Sequence, residues 1–350
     1  MIEKYRVKLL LIFCLILNIS GYSSIAQDIV IKDRVVDHEV IGNGILPDGA
    51  SPAPVGVAPS NNNVTIVGTA GNGPIAGLDV AGGVSEVAME NVVSNRVDIN
   101  IVADGGGAGT ITGDVYGGWG DLDVINNKLK ITGGNIGGAE GAYGGSSVKG
   151  KAEENILEIR GGAISADVYG GVGDLDVIKN KLKITGGNIG GALGAYGGYS
   201  VKGKAEENIL EMEGGAISAD VYGGWSALAV IKNKLKITAG NIKGKRGAYG
   251  GYSVTGKAEE NILEMEGGAI THGDAIGGWG DLDVINNKVK ITGGTIKGKR
   301  GASGGYSVKG KAEENILEME GGAISANVYG GRGALDVINN KVKITGGNIK

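Results

Sequence analysis

A repeat of 53 residues constrains the fold of this chain more than any other feature. The string Asp-Val-Tyr-Gly-Gly begins at Asp114, Asp167 and Asp220, and variants of it begin at Asp274 and Asn327. Gly-Ala-Tyr-Gly-Gly or Gly-Ala-Ser-Gly-Gly lies between these strings, so each unit divides into two halves of 25 to 28 residues. Self-similarity at such a period is typical of a solenoid, in which each repeat stacks only on its neighbours.

Each half also carries an asparagine followed by alternating apolar residues. Apolar side chains alternate as in half-buried strands, and Gly-Gly and Asn are interpreted as the breaks between strands. The segment Ala-Glu-Glu-Asn-Ile-Leu-Glu-Met-Glu also suits a helix, but its counterpart in the other half alternates as a strand, which favours strands throughout. Degenerate copies at Asn62 and Asn95 precede nine clear ones, at Asn127, Asn155, Asn180, Asn208, Asn233, Asn261, Asn287, Asn315 and Asn340.

Alignment of the halves on this asparagine tests whether the coils stack in register. Parallel strands lie about 4.8 Å apart, so alternating charges in a column attract one another, whereas like charges repel. Asp and Lys alternate in most halves four and six positions before the asparagine, and Leu122 and Val124, five and three before it, are predicted to face inward. The asparagines themselves are expected to form an amide ladder at a coil corner. Three positions after the asparagine the column reads Asp98, Lys130, Glu158, Lys183, Glu211, Lys236, Glu264, Lys290, Glu318 and Lys343.

These patterns predict an all-β fold, a parallel β-solenoid resembling a β-helix, built from coils of about 26 residues paired into 53-residue repeats. The 70 Gly and 5 Pro residues without a Gly-x-y period exclude collagen, and 41% apolar residues argue against disorder. The predicted organisation is a signal peptide at 1–26, a Pro-containing leader or partial cap at 27–61, degenerate first coils at 62–110 and double repeats at 111–350 that end within a repeat.

The first 26 residues have the pattern of a secretory signal. Three basic residues precede the apolar run from Leu9 to Ile19, and Ser24-Ile25-Ala26 matches a small-x-small cleavage site. Removal of this segment changes the net charge from −4 to −6 and removes Cys14, the one cysteine. We therefore expect an exported chain without disulfides, and its near-neutral charge gives no general attraction to nucleic acid or anionic lipid.

Several motif matches have a simpler explanation in the repeat. Gly-x-x-x-x-Gly-Lys begins at Gly145, Gly198, Gly251 and Gly305, but each copy continues with Ala, where a nucleotide site needs a hydroxyl for Mg²⁺. We expect no nucleotide and no other cofactor. The two histidines, His38 and His272, have no recurring Ser or carboxylate partner, so no catalytic site is predicted.

A near match to the calcium-binding nonapeptide occurs at Gly117, Gly170 and Gly277. A leucine stands where the ligand Asp should be, and the spacing is 53 residues rather than nine. Asp121 and Asp123 are interpreted as half of a charge ladder, and weak binding of Ca²⁺ at these turns stays an open alternative.

Two aromatic columns flank the Gly-Gly strings. The tyrosines that precede Gly-Gly, from Tyr116 to Tyr249, are predicted to form a structural stack along the solenoid. The column that follows Gly-Gly also contains Ser, Val and Arg, which suggests an exposed turn and a strip that contacts a partner; simple turn packing is the alternative. The candidate contact residues are Trp119, Tyr199, Trp225, Tyr252, Trp279 and Tyr306.

The recurrent string Asn-x-Leu-x-Ile-x-Gly-Gly-x-Ile-x-[Gly/Ala]-Asp-Val-Tyr-Gly-Gly, behind a signal-like segment, resembles the Gly-rich repeats of bacterial autotransporter passenger regions over about residues 62–350. The resemblance implies a β-helical, non-enzymatic adhesin or stalk at the cell surface, at the outer membrane or in the medium. Its partner would be a host or neighbouring cell surface, including its glycans. Attachment to the membrane would need a C-terminal barrel, which the sequence lacks. The alternative is a β-helix polysaccharide lyase or hydrolase whose catalytic part lies outside this chain.

Overall fold

The computed structural model of the protein describes residues 28–32, 40–41, 44–45, 60–69, 79–85, 91–102 and 110–350. All regular secondary structure in these ranges is β-strand, and they contain no helix that could cross a membrane. The strands stack as a parallel β-solenoid whose coils recur every 25 to 28 residues over the double repeats. The predicted fold class is therefore confirmed. The predicted signal segment, most of the predicted leader and His38 lie outside the described residues.

After its asparagine, each coil passes through four sheets, which we number in that order. Sheet 1 begins within the predicted leader, where Asp28–Lys32 pairs in parallel with Asn63–Thr69. In the double repeats its strands are four residues long, with every second side chain buried. The twelve strands of sheet 1 are Asp28–Lys32, Asn63–Thr69, Arg96–Val102, Lys128–Ile131, Ile156–Ile159, Lys181–Ile184, Ile209–Met212, Lys234–Ile237, Ile262–Met265, Lys288–Ile291, Ile316–Met319 and Lys341–Ile344.

Sheets 2 and 4 are narrow, with two residues of each coil in each sheet. The strands of sheet 2 are Thr110–Ile111, Asn135–Ile136, Ala163–Ile164, Asn188–Ile189, Ala216–Ile217, Asn241–Ile242, Ala269–Ile270, Thr295–Ile296, Ala323–Ile324 and Asn348–Ile349. The strands of sheet 4 are Val92–Val93, Val124–Ile125, Ala152–Glu153, Val177–Ile178, Ala205–Glu206, Val230–Ile231, Ala258–Glu259, Val284–Ile285, Ala312–Glu313 and Val337–Ile338.

Sheet 3 is the widest and contains the Gly-Gly strings. Its first two strands form an antiparallel pair, and the other pairings are parallel. The fifteen strands are Val40–Ile41, Gly44–Ile45, Val80–Ala81, Val84–Ser85, Val115–Tyr116, Trp119–Gly120, Gly141–Tyr143, Ser146–Ser147, Asp167–Gly173, Gly194–Ser200, Asp220–Ser226, Gly247–Ser253, Asp274–Gly280, Ala302–Ser307 and Val328–Arg332.

The main core lies between sheets 1, 2 and 3. Each coil contributes a few aliphatic side chains, such as Leu182 and Ile184 from sheet 1, Ile189 from sheet 2 and Ala195 from sheet 3, and all four are at most 1% exposed. A second, smaller cluster lies behind sheet 4, where valine alternates with alanine from coil to coil. Because both clusters are columns of like residues, each coil buries its apolar side chains only when a neighbour is present.

The corner between sheets 4 and 1 holds the predicted asparagine ladder, which is confirmed. The Asn208 amide Nδ2 donates to Asn233 Oδ1 (3.0 Å) and to the carbonyl of Val177 (2.8 Å). Its Oδ1 accepts from both the backbone N–H (2.9 Å) and Nδ2 (3.1 Å) of Asn180. Every hydrogen-bonding site of this buried amide is therefore filled, as burial requires.

The residue before each asparagine makes the corner sharp. Left-handed backbone costs a non-glycine residue about 1–2 kcal/mol, so the hydrogen bonds of the ladder must offset a strain that recurs in every coil. Among the described residues, eleven non-glycine residues have this conformation, with φ between 52° and 61°; they are Asn61, Ser94, Asn126, Glu154, Lys179, Glu207, Lys232, Glu260, Asn286, Glu314 and Asn339.

The predicted breaks at Gly-Gly are confirmed between sheets 1 and 2, as at Gly186-Gly187, but most Gly-Gly pairs of sheet 3 do not break a strand. In most coils they lie inside a strand, as in Gly194–Ser200. A Cβ on Gly198 would lie 2.3 Å from Cγ of Asn208, and one on Gly197 would lie 2.3 Å from the carbonyl oxygen of Gly223 in the next coil. Glycine is needed here because sheet 3 passes against both the asparagine ladder and the backbone of the adjacent coil.

The glycine pair also shifts the inward-outward alternation of the strand. Ala195 faces the main core and Ser200 is fully buried, yet Tyr196 and Tyr199, three residues apart, belong to the same cluster on the outer face. In an unbroken strand these two tyrosines would point to opposite faces. The shift therefore places both aromatic columns on one side of sheet 3.

Replacing Gly198 with alanine should destabilise the protein by about 1–3 kcal/mol, the usual range for overpacking, because the new methyl group meets the buried Asn208 amide. Gly190 provides the matched control, since a Cβ there would find its nearest neighbour at 3.5 Å. Urea denaturation of Gly198→Ala and Gly190→Ala would test this. Equal midpoints for the two variants would contradict the packing role of Gly198.

The alternating charge column on sheet 1 is in register, as predicted, with Lys183 opposite Glu211 and Glu211 opposite Lys236. The ion pairs nevertheless form diagonally. Lys183 Nζ lies 2.8 Å from Glu213, and Lys181 Nζ lies 2.8 Å from Glu211. The same diagonal pattern recurs one and two double repeats later, so these ion pairs join the two coils of a 53-residue unit.

Two predictions for the turn before sheet 4 need correction. Leu175 and Leu228, which occupy the position of Leu122, are 43% and 50% exposed instead of facing inward, because the chain bends there. Asp176 Oδ1, in the column four before the asparagine, accepts the backbone N–H of Lys204 at 3.0 Å rather than pairing with its ammonium group. The column six before the asparagine does form ion pairs, such as Asp174 with Lys202.

Candidate contact surface

The predicted contact residues lie in one column of sheet 3. Tyr199, Trp225, Tyr252, Trp279 and Tyr306 occupy five consecutive coils, each directly opposite the next. Trp119 is in the same column but is separated from the five by Ser146 and Val172. The structure therefore brings five of the six residues together and leaves Trp119 three coils away.

This column, which we call the aromatic row, is neither in a turn nor fully exposed, contrary to the expectation from sequence. Its residues lie within strands and are partly buried. Tyr199 stacks on Trp225 with ring centroids 4.3 Å apart, and Trp279 stacks on Tyr306 at 4.2 Å. Tyr252 is parallel to Trp279 at 5.7 Å. Trp279 therefore has a ring on each face, and a ligand at that position would meet mainly ring edges, which carry partial positive charge.

A buried tyrosine ladder supports the aromatic row, and its prediction is confirmed. The ring centroids of Tyr116, Tyr143, Tyr169, Tyr196, Tyr222 and Tyr249 lie 4.9–5.2 Å apart with nearly parallel planes. Rings of the aromatic row meet this ladder edge to face, as Tyr199 meets Tyr196 at 5.3 Å. Burial, together with the nearby carboxylate of Asp167, raises the pKa of the Tyr169 hydroxyl far above its ordinary value.

The loop between sheets 2 and 3 covers the other side of the tyrosine ladder. Tyr196 donates its hydroxyl to the carbonyl of Leu193 at 3.0 Å, and Tyr249 donates to that of Arg246 at 3.2 Å. An aspartate of the preceding coil fixes each loop. Asp167 Oδ1, for example, accepts the backbone N–H groups of Leu193 (2.9 Å) and Gly194 (2.7 Å).

In two coils this loop has the sequence Lys-Gly-Lys-Arg and brings cations over the aromatic row. The Arg246 guanidinium lies 5.7 Å from the centroid of the Tyr252 ring, and that of Arg300 lies 5.5 Å from both Trp279 and Tyr306. Arg332, which ends the column, lies 4.9 Å from Tyr306. Cation–π contacts of this kind hold the guanidinium groups against the rings.

A groove of about 600 Å³ lies between the two basic loops. Asp274 is its one carboxylate, and Asp274 Oδ1 is occupied by the backbone N–H groups of Arg300 (2.9 Å) and Gly301 (3.1 Å). Tyr249, Tyr252 and Trp279 contribute ring atoms to the floor. The basic and imidazole side chains at its walls are Lys245, Arg246, His272, Lys299 and Arg300, all exposed.

Sequence reasoning missed this basic groove, although the strings at 243–246 and 297–300 were visible. It also missed an exposed aliphatic row on the turn before sheet 4, whose signal was the regular exchange of valine and leucine from half to half. Its members are between 40% and 50% exposed; they are Val148, Leu175, Val201, Leu228, Val254, Leu282 and Val308.

The other sequence motifs have structural roles where they are described. Gly198, the start of one Gly-x-x-x-x-Gly-Lys string, lies in a strand of sheet 3, and the string continues into the turn before sheet 4. Asp121 forms an ion pair with Lys149 at 2.6 Å, and Asp123 accepts the backbone N–H of Lys151 at 2.9 Å. A search of the described residues found no group of three or more His, Cys, Asp or Glu residues placed to hold a metal ion.

Comparison of the chain with protein-family models, with curated proteins and with solved structures found no match.

Proposed function

We propose that this chain is a non-enzymatic, extended repeat protein of the cell surface or the medium, of the autotransporter-passenger kind, that acts as an adhesin or stalk. The proposal rests on one observation: the half-exposed aromatic row and the basic loops beside it depart from the regular repeat on a single side of the rod. Apart from the exposed aliphatic row, the other surface columns repeat regularly, and packing and charge alternation explain them.

The aromatic row would be the contact strip for the surface of a host or neighbouring cell. Aromatic residues and arginine are the side chains most often found at the centres of binding interfaces. The row holds five aromatic rings in consecutive coils, which spans about 19 Å at the spacing of parallel strands. The signal-like segment 1–26 is consistent with a role outside the cell.

Replacing Trp225, Tyr252 and Trp279 together with serine should reduce binding of the purified protein to intact cells or to a glycan array by at least about tenfold, since interface aromatic residues commonly contribute 2 kcal/mol or more. Serine is compatible with this column because Ser146 already occupies it. Circular dichroism should therefore still show a β-protein.

The control variant carries Leu175→Ser, Leu228→Ser and Leu282→Ser in the exposed aliphatic row and should bind like the parent. Loss of binding in the control but not in the aromatic variant would contradict the proposal, because the aliphatic row and not the aromatic row would then be the contact surface. Shortening of a polysaccharide by the parent protein would contradict the non-enzymatic role and favour a carbohydrate-active enzyme.

A further inference from the structure

We propose that the groove between the loops 243–246 and 297–300 binds a linear anionic polysaccharide, one whose sugars carry carboxylate or sulfate groups. This inference rests on the proposed function, because it names the ligand class of the contact surface. Four observations support it: a comparison within the chain, the charge balance, the orientation of the aromatic rings and the spacing of the loops.

Four copies of the loop between sheets 2 and 3 can be compared within the chain, two of them basic and two without basic residues. The same loop reads Gly-Gly-Ala-Glu at 137–140 and Gly-Gly-Ala-Leu at 190–193, but Lys-Gly-Lys-Arg at both 243–246 and 297–300. The backbone is held alike in all four, since Gly141, Gly194, Gly247 and Gly301 each donate an N–H to an aspartate of the preceding coil. The fold therefore does not require the basic side chains.

These basic side chains are also not neutralised. On sheet 1, lysines pair with glutamates of the next coil, whereas no ion pair among the described residues involves a Lys or Arg of these two loops. Like charges held near one another without counter-charges repel, even when they lie two coils apart, about 10 Å. A cluster of six cations, namely Lys243, Lys245, Arg246, Lys297, Lys299 and Arg300, therefore works against the charge alternation of the rod and favours an anionic ligand.

The aromatic rings at the floor of the groove favour oxyanions over nucleic-acid bases. A base would need a free ring face on which to stack, but Trp279 is covered by Tyr306 at 4.2 Å and by Tyr252 at 5.7 Å. The ring edges left to a ligand are electropositive. Arg246 and Arg300, held against the rings, can each donate two hydrogen bonds to one carboxylate or sulfate group.

The spacing of the two loops indicates a polymer rather than a single anion. They lie two coils apart, about 10 Å at the spacing of parallel strands, which is comparable with the length of a disaccharide unit. A polysaccharide with one acidic group in each disaccharide could therefore place successive anions at the two loops while lying along the rod.

The test uses the full chain and two polymers, polygalacturonate and heparin, with dextran as the neutral comparison. We expect binding to at least one anionic polymer, no binding to dextran, and affinity that falls steeply as salt is added, because each cation releases counterions from a polyanion. The variant Lys243→Gly, Lys245→Ala, Arg246→Leu, Lys297→Gly, Lys299→Ala, Arg300→Leu gives both loops the natural sequence of 190–193. It should bind at least about tenfold more weakly, with a shallower dependence on salt.

A charge-matched pair of variants separates the groove from general electrostatics. Changing only Lys243, Lys245 and Arg246 as above removes three cations from one loop, while Lys149→Ala, Lys202→Ala and Lys309→Ala remove three exposed cations that do not line the groove. The first should weaken binding clearly more than the second. Equal losses, binding of neither polymer, or tighter binding of a single-stranded oligonucleotide would overturn the inference.

Failure of this inference and failure of the proposed function give different results. In one outcome, the six-residue loop variant binds cells as the parent does, while the triple serine variant of the aromatic row does not. The groove is then not the ligand site, but the aromatic row is still the contact surface. If neither variant changes binding to cells, the contact surface itself is wrong.

Discussion

Raising the pH above 10 should unfold the solenoid in one steep transition, losing about 8 kcal/mol of stability per pH unit if the six ladder tyrosines act independently at 1.36 kcal/mol each. Burial raises the pKa of every ladder hydroxyl far above 10, its ordinary value. The unfolded chain therefore releases protons first. The contribution of the tyrosines is fully present below pH 10 and is lost as the pH rises towards their folded-state pKa.

Absorbance of tyrosinate and far-ultraviolet circular dichroism, recorded on one alkaline titration, would check this. Six of the twelve tyrosines belong to the ladder, and their share of the tyrosinate absorbance should appear only as the β signal is lost, because a ladder tyrosine can ionise only when the fold opens. Tyr196→Phe removes one titrating group, so its loss of stability per pH unit should be smaller by about 1.4 kcal/mol. Ionisation of all tyrosines near pH 10 with the β signal intact would contradict the prediction.

Replacing Asn208 with leucine should destabilise the protein by about 2–6 kcal/mol, because it leaves two buried polar groups, the backbone N–H of Asn180 and the carbonyl of Val177, without this partner, and each such group costs about 1–3 kcal/mol. Leucine has nearly the same size but cannot accept from the backbone N–H or the Nδ2 of Asn180, nor donate to the carbonyl of Val177. Asn233 Oδ1 loses one of its two bonds from residue 208 and keeps the one from the backbone N–H. The Asn180 N–H and the Val177 carbonyl are buried at these bonds, so water cannot replace them. Hydrogen exchange should show the damage centred on the coils on either side.

Lys202→Ala is the control for Asn208→Leu in the same coil. Its ion pair with Asp174 is exposed, and such pairs contribute about 0–1 kcal/mol. Urea denaturation should therefore separate the two variants widely. A change of less than about 1 kcal/mol in Asn208→Leu would mean that packing alone holds the corner.

The sequence predicted those parts of the fold in which a residue contacts its own copy. The asparagine ladder, the tyrosine ladder and the alternating charges are columns, and a parallel in-register stack places each member directly over the next. Periodicity alone therefore determines these contacts. The length of the coil and its division into doublets follow from the same spacing.

The features that depend on backbone geometry within a coil could not be read from the repeat. The repeat predicts a break at Gly-Gly, but in Gly194–Ser200 the strand continues through the pair. The pair shifts the alternation of side chains between the two faces of the strand, so Tyr196 and Tyr199 lie on the same face. The bend before sheet 4, which turns Leu175 outward, likewise depends on the backbone conformation within the coil. Identical repeats carry the same ambiguity in every copy, so the number of copies does not resolve it.

The candidate site was predictable in its residues but not in its form. Sequence indicated the aromatic row, yet not that its rings cover one another or that Arg246 lies against Tyr252. The loop and the row are six residues apart in the chain, and they meet only because the loop folds back over sheet 3. That fold depends on the aspartate of the preceding coil, such as Asp220, which holds the N–H of Arg246 at 2.9 Å.

The diagonal ion pairs within each 53-residue unit also limit how the gene for such a rod can change in length. Gain or loss of a whole unit, as unequal recombination between its copies would produce, leaves every lysine facing a glutamate. Loss of the single coil that contains Glu211 would instead place Lys183 over Lys236. Gain or loss of whole 53-residue units therefore keeps opposite charges paired. The length of the rod can change in steps of about 10 Å while the contacts between coils stay the same.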